Sequence, residues 1–161
     1  MFRSSPLVRG LIAGVAGAIA WFVGMLLFFG PAQIILTDPR LQSAKFLGVF
    51  TAEPAPRTNA APWVLVVGLL IIAVLWACVY VWLSASWFGA WWKRGLKFGV
   101  VSWTLMVPWF EFYLPWNVMR EPAALVALEM VCWAAVLLLV GLTIAGVEAA
   151  LRRGSGPVAR P

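Results

Sequence analysis

Histidine is absent from this 161-residue chain, and with it go the commonest metal ligand and the usual general base. Only two cysteines occur, Cys78 and Cys132, and both sit inside apolar runs. Haem, zinc and copper sites of ordinary kinds are therefore not expected, nor is a disulfide scaffold. Charge is scarce as well. Asp, Glu, Lys and Arg make up 11% of the chain, against about 25% in a soluble domain. The polar remainder cannot cover a globule of this size, because a small domain leaves much of its surface exposed. Disorder and collagen-like repeats are excluded by the same composition.

What is present is apolar. Hydrophobic residues make up 63% of the chain, and mean hydropathy is +0.94. Four stretches approach the roughly 20 apolar residues that a bilayer core requires: about 8–29, 63–83, 98–114 and 122–142. The first is about twice the length of a secretion signal's apolar core and ends in Gly30-Pro31 without a small-x-small cleavage site, so it reads as a retained span. The expected fold is all-α: a single polytopic four-transmembrane-helix bundle over 1–153, then a flexible cytoplasmic tail over 154–161. The tail is rich in Gly and Pro.

Lys and Arg set the direction. Arg3, Arg9, Lys93, Arg94, Lys97, Arg152, Arg153 and Arg160 fall on one side. Arg40, Lys45, Arg57 and Arg120 fall on the other, largely offset by Asp38, Glu53 and Glu121. Both termini are thus expected in the cytoplasm of a bacterial-type inner membrane. Tryptophan fits this register. Trp63, Trp109 and Trp116 lie near the expected outer boundary, and Trp82, Trp87, Trp91 and Trp92 near the inner one, where amphipathic indoles settle. Trp21, Trp76, Trp103 and Trp133 lie deeper and line helix interfaces or contact a bound lipid or pigment.

Two segments between spans read as interfacial. In the first external loop, Asp38 is available as an N-cap and Pro39 as the first helical residue, so a short helix within Gln33 to Phe50 is expected to lie in the outer interface. Thr51 to Pro62 holds three prolines and reads as extended. On the inner side, Ser84 to Arg94 places Trp87, Phe88, Trp91 and Trp92 on one expected helical face, with Lys93, Arg94 and Lys97 at anionic headgroups. Lipid contact accounts for these bases without nucleic acid.

Gly10, Gly14, Gly17 and Gly24, with Trp21, form a stripe in the first span that lets another helix approach closely. Gly141-x-x-x-Ala145 is a weaker version. Ser102, Thr104 and Thr143 read as hydrogen-bonders between helices. Cys78 and Cys132 differ in depth by roughly 7 Å at the helical rise, too far for a disulfide.

Glu111 and Glu129 are the sharpest features, the only charges expected within spans. Intramembrane carboxyls are costly and functional candidates by default. A short turn makes their helices antiparallel neighbours, so both lie toward the outer side. One reading is structural: Glu111 pairs with Arg120, Arg40 or Lys45, and Glu129 bonds a neighbouring helix. The other is proton or cation handling. Pro108 frees the carbonyl of Thr104, and with Tyr113, Asn117, Trp109 and Trp116 it marks a corner where irregular backbone needs protein or water around it. A small cavity between the third and fourth spans follows. No nucleophile–base pair, phosphate loop or metal set can be assembled, so no enzyme is expected.

Gly14 to Gly30 (GVAGAIAWFVGMLLFFG) and Lys97 to Trp103 (KFGVVSW) carry a resemblance to uncharacterised small four-helix bacterial inner-membrane proteins. The expected role is a non-enzymatic scaffold or accessory subunit, packed against lipids and other transmembrane helices in a hetero-complex or homodimer. The alternative is a small proton-coupled carrier using Glu111 and Glu129. No cofactor is expected beyond a bound lipid or hydrophobic ligand.

Overall fold

Ser5 starts the first helix: its hydroxyl accepts the Val8 amide at 3.3 Å, and Pro6 brings the φ that a first helical residue needs. The protein is described by a computed structural model covering residues 5–54 and 56–153; the tail expected over 154–161 lies outside the described residues. α1 (Pro6–Gly24) does not stop near Gly30-Pro31. A π-helical turn at Met25–Phe29 leads directly into α2 (Gly30–Leu36), so 31 residues from Pro6 to Leu36 form one rod. Pro31 lacks an N–H, and its ring crowds the carbonyl four residues back. The wider turn just before it absorbs that misfit, which carries the helix past the boundary expected at Phe29.

α3 (Ala44–Thr51) is capped by Ser43, whose hydroxyl accepts the Phe46 amide at 3.0 Å. The helix start expected at Asp38-Pro39 is not used. Asp38 instead accepts the Arg40 amide at 3.0 Å and holds the Arg40 guanidinium at 2.7 Å, a local turn that bends the chain after α2. A single helical turn, α4 (Arg57–Ala60), fits between Pro56 and Pro62, where an extended chain was expected. Proline there precedes the turn rather than interrupting it.

α5 (Trp63–Leu83) ends in a 3₁₀ turn at Ser84–Ser86. Gly89, at φ +106°, then breaks the chain in a conformation that glycine adopts freely, and α6 (Trp91–Glu111) begins. Trp87 and Phe88 therefore do not share a helix with Trp91 and Trp92, and the single amphipathic face expected over 84–94 does not form. Trp87 turns back to meet Tyr80 at 6.5 Å, with the Lys97 ammonium 4.7 Å above its ring. α6 passes through Pro108 into a π-helical turn at Phe112–Val118. The chain reverses at Arg120, φ +62°, and α7 (Ala123–Arg153) completes the fold.

α7 is central. α6 and α1 both lie along it, and α5 packs on α1, with its Trp76 and Tyr80 also meeting Phe98 of α6 at 6.4 and 5.3 Å. Pro6–Leu36, Trp63–Ser86 and Ala123–Arg153 are long and apolar enough to cross a membrane; the protein has the character of a helical membrane protein. Glycine sets the helix separations. A Cβ on Gly14 would lie 2.5 Å from the Val74 Cα, and one on Gly10 would meet Cys78. Gly17 and Gly24 abut Ile144 and Val136 instead, so the α1 stripe serves two neighbours, α5 and α7. The α6–α7 crossing is as close. A Cβ on Gly99 would lie 2.8 Å from the Leu137 carbonyl oxygen, and one on Gly141 2.5 Å from that of Gly95.

An aromatic layer fills the middle of the bundle. Trp21 is buried between Trp76 at 5.1 Å and Trp133 at 6.1 Å, and Phe29 meets Trp133 at 4.9 Å. Trp103 donates its indole N–H to the Met130 carbonyl at 3.0 Å, which ties α6 to α7.

Candidate functional site

Beyond this aromatic layer, toward the Gly30 end of α1, three carboxyls gather. Glu111 is the last residue of α6 and 1% exposed. Its carboxyl lies in hydrogen-bonding reach of the Glu129 carboxyl on α7 and of the Trp133 indole. Two carboxyls this close repel when both are charged. The second Glu111 oxygen has no partner.

Glu121 is the third, and sequence reasoning missed it by placing it among the boundary charges. It is 2% exposed. The reversal at Arg120 turns the chain inward, and the Glu121 amide donates to the Pro115 carbonyl at 3.0 Å, which fixes its side chain beneath the loop. The Glu129 charge acts on it from α7, and the Gln42 amide faces it from the segment between α2 and α3. Among the described residues, Gln42 is the one side chain within hydrogen-bonding reach of Glu121. Desolvation, with the Glu129 charge second, pushes this carboxyl up to about 7.

The loop over this corner is anchored. The Ser43 hydroxyl donates to the Met119 carbonyl, and Gln42, 8% exposed, donates to the Leu36 carbonyl. The Gln42 side-chain oxygen has no partner. Gln42 thus closes the cluster from above. A signal for it was present only in the turn chemistry of Asp38, which folds 38–43 back over the bundle.

The ion pairs expected for Glu111 do not form. Arg40 is held by Asp38 at 2.7 Å, and among the described residues no salt bridge reaches Glu111, Glu121 or Glu129. Thr104 is turned outward and its hydroxyl donates to the Val100 carbonyl of its own helix at 2.9 Å. Thr143 likewise bonds Leu139, so neither bridges two helices: a hydroxyl one turn above a carbonyl bonds it before any neighbouring chain. Tyr113 stacks on Trp109 at 5.2 Å on the surface. Asn117 reaches the cluster's rim. With Trp116, Arg120 and Glu121 it lines an open depression of about 270 Å³. A separate groove of about 370 Å³ runs between Pro108, Phe112 and the start of α7. Among the described residues no His, Cys, Asp or Glu group is arranged to hold a metal ion.

The remaining named positions are dispersed. Trp63, Trp82, Trp91, Trp92, Trp109 and Trp116 are exposed, and the Trp91 ring also lies beside Gly146. Lys93 sits 5.3 Å over the Trp92 ring. Cys78 and Cys132 are both free thiols. No family model, curated protein or solved structure matches the chain.

Proposed function

We propose that this protein is a four-span, non-enzymatic inner-membrane protein that takes up and releases protons at the Glu111–Glu121–Glu129 cluster, acting as a small proton-coupled carrier. One observation carries the reading. Three carboxyls converge from α6, its following loop and α7, two of them almost wholly buried, with no cation bonded to them among the described residues. Such a cluster is tolerated in an apolar surround when it holds protons, and it changes charge when they leave.

The four-span count is supported by α6 itself. With its following turn it is 21 and then 7 residues long, and it runs antiparallel along α7. Its bases, Lys93, Arg94 and Lys97, stand at the end where Arg9 and Arg152 meet. Arg40 and Arg120 lie at the acid-cluster end. By the excess of positive charge, the Arg9 end is cytoplasmic.

The depth of the site follows from α7. Glu129 and Glu148 lie 19 residues apart on it, about 28 Å at 1.5 Å per residue. That is close to the roughly 30 Å of a hydrocarbon core. The acid cluster therefore sits at the outer boundary.

Proteoliposomes holding a pH-sensitive dye test this. An imposed pH difference should collapse faster than in empty vesicles, and Glu111→Gln or Glu129→Gln should slow the collapse by about a hundredfold, the scale of losing a proton-transfer group. A wild-type rate equal to that of empty vesicles sinks the carrier.

The accessory-subunit reading stands second, on an apolar groove of about 360 Å³ along α1 and α5, lined by Val15, Ile19, Phe22, Val66 and Leu70. A partner helix or a second copy fits such a surface. A stoichiometric hetero-complex after mild detergent extraction favours it over the carrier.

A further inference from the structure

At the opposite end of the bundle lies a polar corner that the acid cluster does not involve. Glu148 on α7 is wholly buried, although its position past the expected span placed it among surface charges. The Arg9 guanidinium from α1 approaches its Oε1 at 3.6 Å, and the Arg152 guanidinium one turn along α7 donates to the same oxygen. One carboxylate thus orients two guanidiniums. Across the helices, Tyr80 is fully buried, with the Ser84 hydroxyl beside its own. It stands among the charges of Arg94, Glu148 and Arg152. Arg94 also has a buried Nε without a partner among the described residues.

Two guanidiniums therefore share one carboxylate, and the Arg94 charge reaches Tyr80 beside them, a surplus of positive charge in a partly desolvated place. Such a surplus calls for an anion. Arg9 and Arg152 open onto a groove of about 430 Å³, whose other walls are apolar and include Leu7, Val81, Trp82 and Ala85. A cationic mouth over an apolar trough matches a molecule with a phosphate at one end and hydrocarbon at the other. We propose that the Arg9–Glu148–Arg152 corner is a binding site for the phosphate of an anionic phospholipid, whose acyl chain lies along Leu7 and Trp82. Glu148 is the positioning residue, and Arg9 and Arg152 make the contact.

The proposal needs only the placement of these side chains and is independent of any proton movement at the other end. The full-length protein, stripped of lipid and returned to nanodiscs of phosphatidylcholine with or without phosphatidylglycerol, provides the test. Native mass spectrometry should find phosphatidylglycerol retained in preference to phosphatidylcholine, and the wild-type melting temperature should rise only in its presence. Arg152→Gln, whose side chain is 39% exposed, should weaken retention about fivefold, the scale of one guanidinium at a headgroup. Arg152→Lys should recover part of it, and a Lys93→Gln/Lys97→Gln pair should leave it unchanged. Equal retention of both lipids by the wild type overturns the site, with no variant required. Equal loss in the lysine pair reduces it to general surface attraction. Displacement of the lipid by inorganic phosphate alone makes it a free-anion site and overturns the lipid assignment.

Discussion

Asp38 and Glu121 show how position decides what a carboxylate does. Asp38 is half-buried at the surface beside the exposed Arg40, whose guanidinium holds its carboxyl below the usual range; a surface pair of this kind contributes little. Glu121 is buried, and desolvation with the neighbouring Glu129 charge raises it to about 7 from an ordinary 4.5. The folded state then binds the proton more tightly than the unfolded state. Folding takes up a proton between pH 4.5 and 7, so stability is greatest below that window and falls as pH rises through it. Above pH 7 the ionised form costs about 3 kcal/mol. Glu121→Gln removes that slope, so melting curves of the two proteins should converge near pH 4.5 and separate above pH 7, with the variant the more stable. Parallel slopes would show that the Glu121 proton plays no part. Nothing in the local sequence separates these two acids, since each stands in a short connection beside an arginine and a proline. Only the inward reversal at Arg120 distinguishes them.

Gly10, Gly14, Gly17 and Gly24 were legible in the sequence because an uninterrupted apolar run displays their spacing. Gly95 and Gly99 have the same spacing and make a crossing as close as that of α1 with α5, yet Lys93, Arg94 and Lys97 break the run around them. An apolar count that begins at Phe98 passes over Gly95. The π-helical turns beside Pro31 and Pro115 were not legible either, because they depend on how each helix accommodates a missing N–H. The difference between the glycines is measurable. Gly99→Ala puts a methyl 2.8 Å from the Leu137 carbonyl oxygen and should destabilise the protein by about 1–3 kcal/mol. Gly68→Ala on α5 meets nothing within 4 Å and should be neutral or stabilising by up to about 1 kcal/mol. Reversible unfolding in mixed micelles checks both. Similar effects at the two positions would mean that the α6–α7 crossing yields more easily than its geometry implies.

At the scale of the whole molecule, the apolar excess announced a membrane protein from composition alone. Which helices neighbour which was beyond reach, since helices sharing one solvent carry no charge pattern that ranks their neighbours. The feature with the widest consequence is the separation of Glu129 from Glu148 on the central helix, a rod too stiff to shorten. Two desolvated polar layers held about 28 Å apart make the molecule a gauge of its surroundings. A bilayer of matching hydrocarbon width leaves both layers at their own boundaries, whereas a thicker one draws one of them inward unless the lipid thins around it. Stability should therefore pass through a maximum as acyl chains are lengthened in reconstituted bilayers, and a monotonic trend would refute this. A protein built this way suits one membrane width, and it would sort among compartments by thickness before any partner was met.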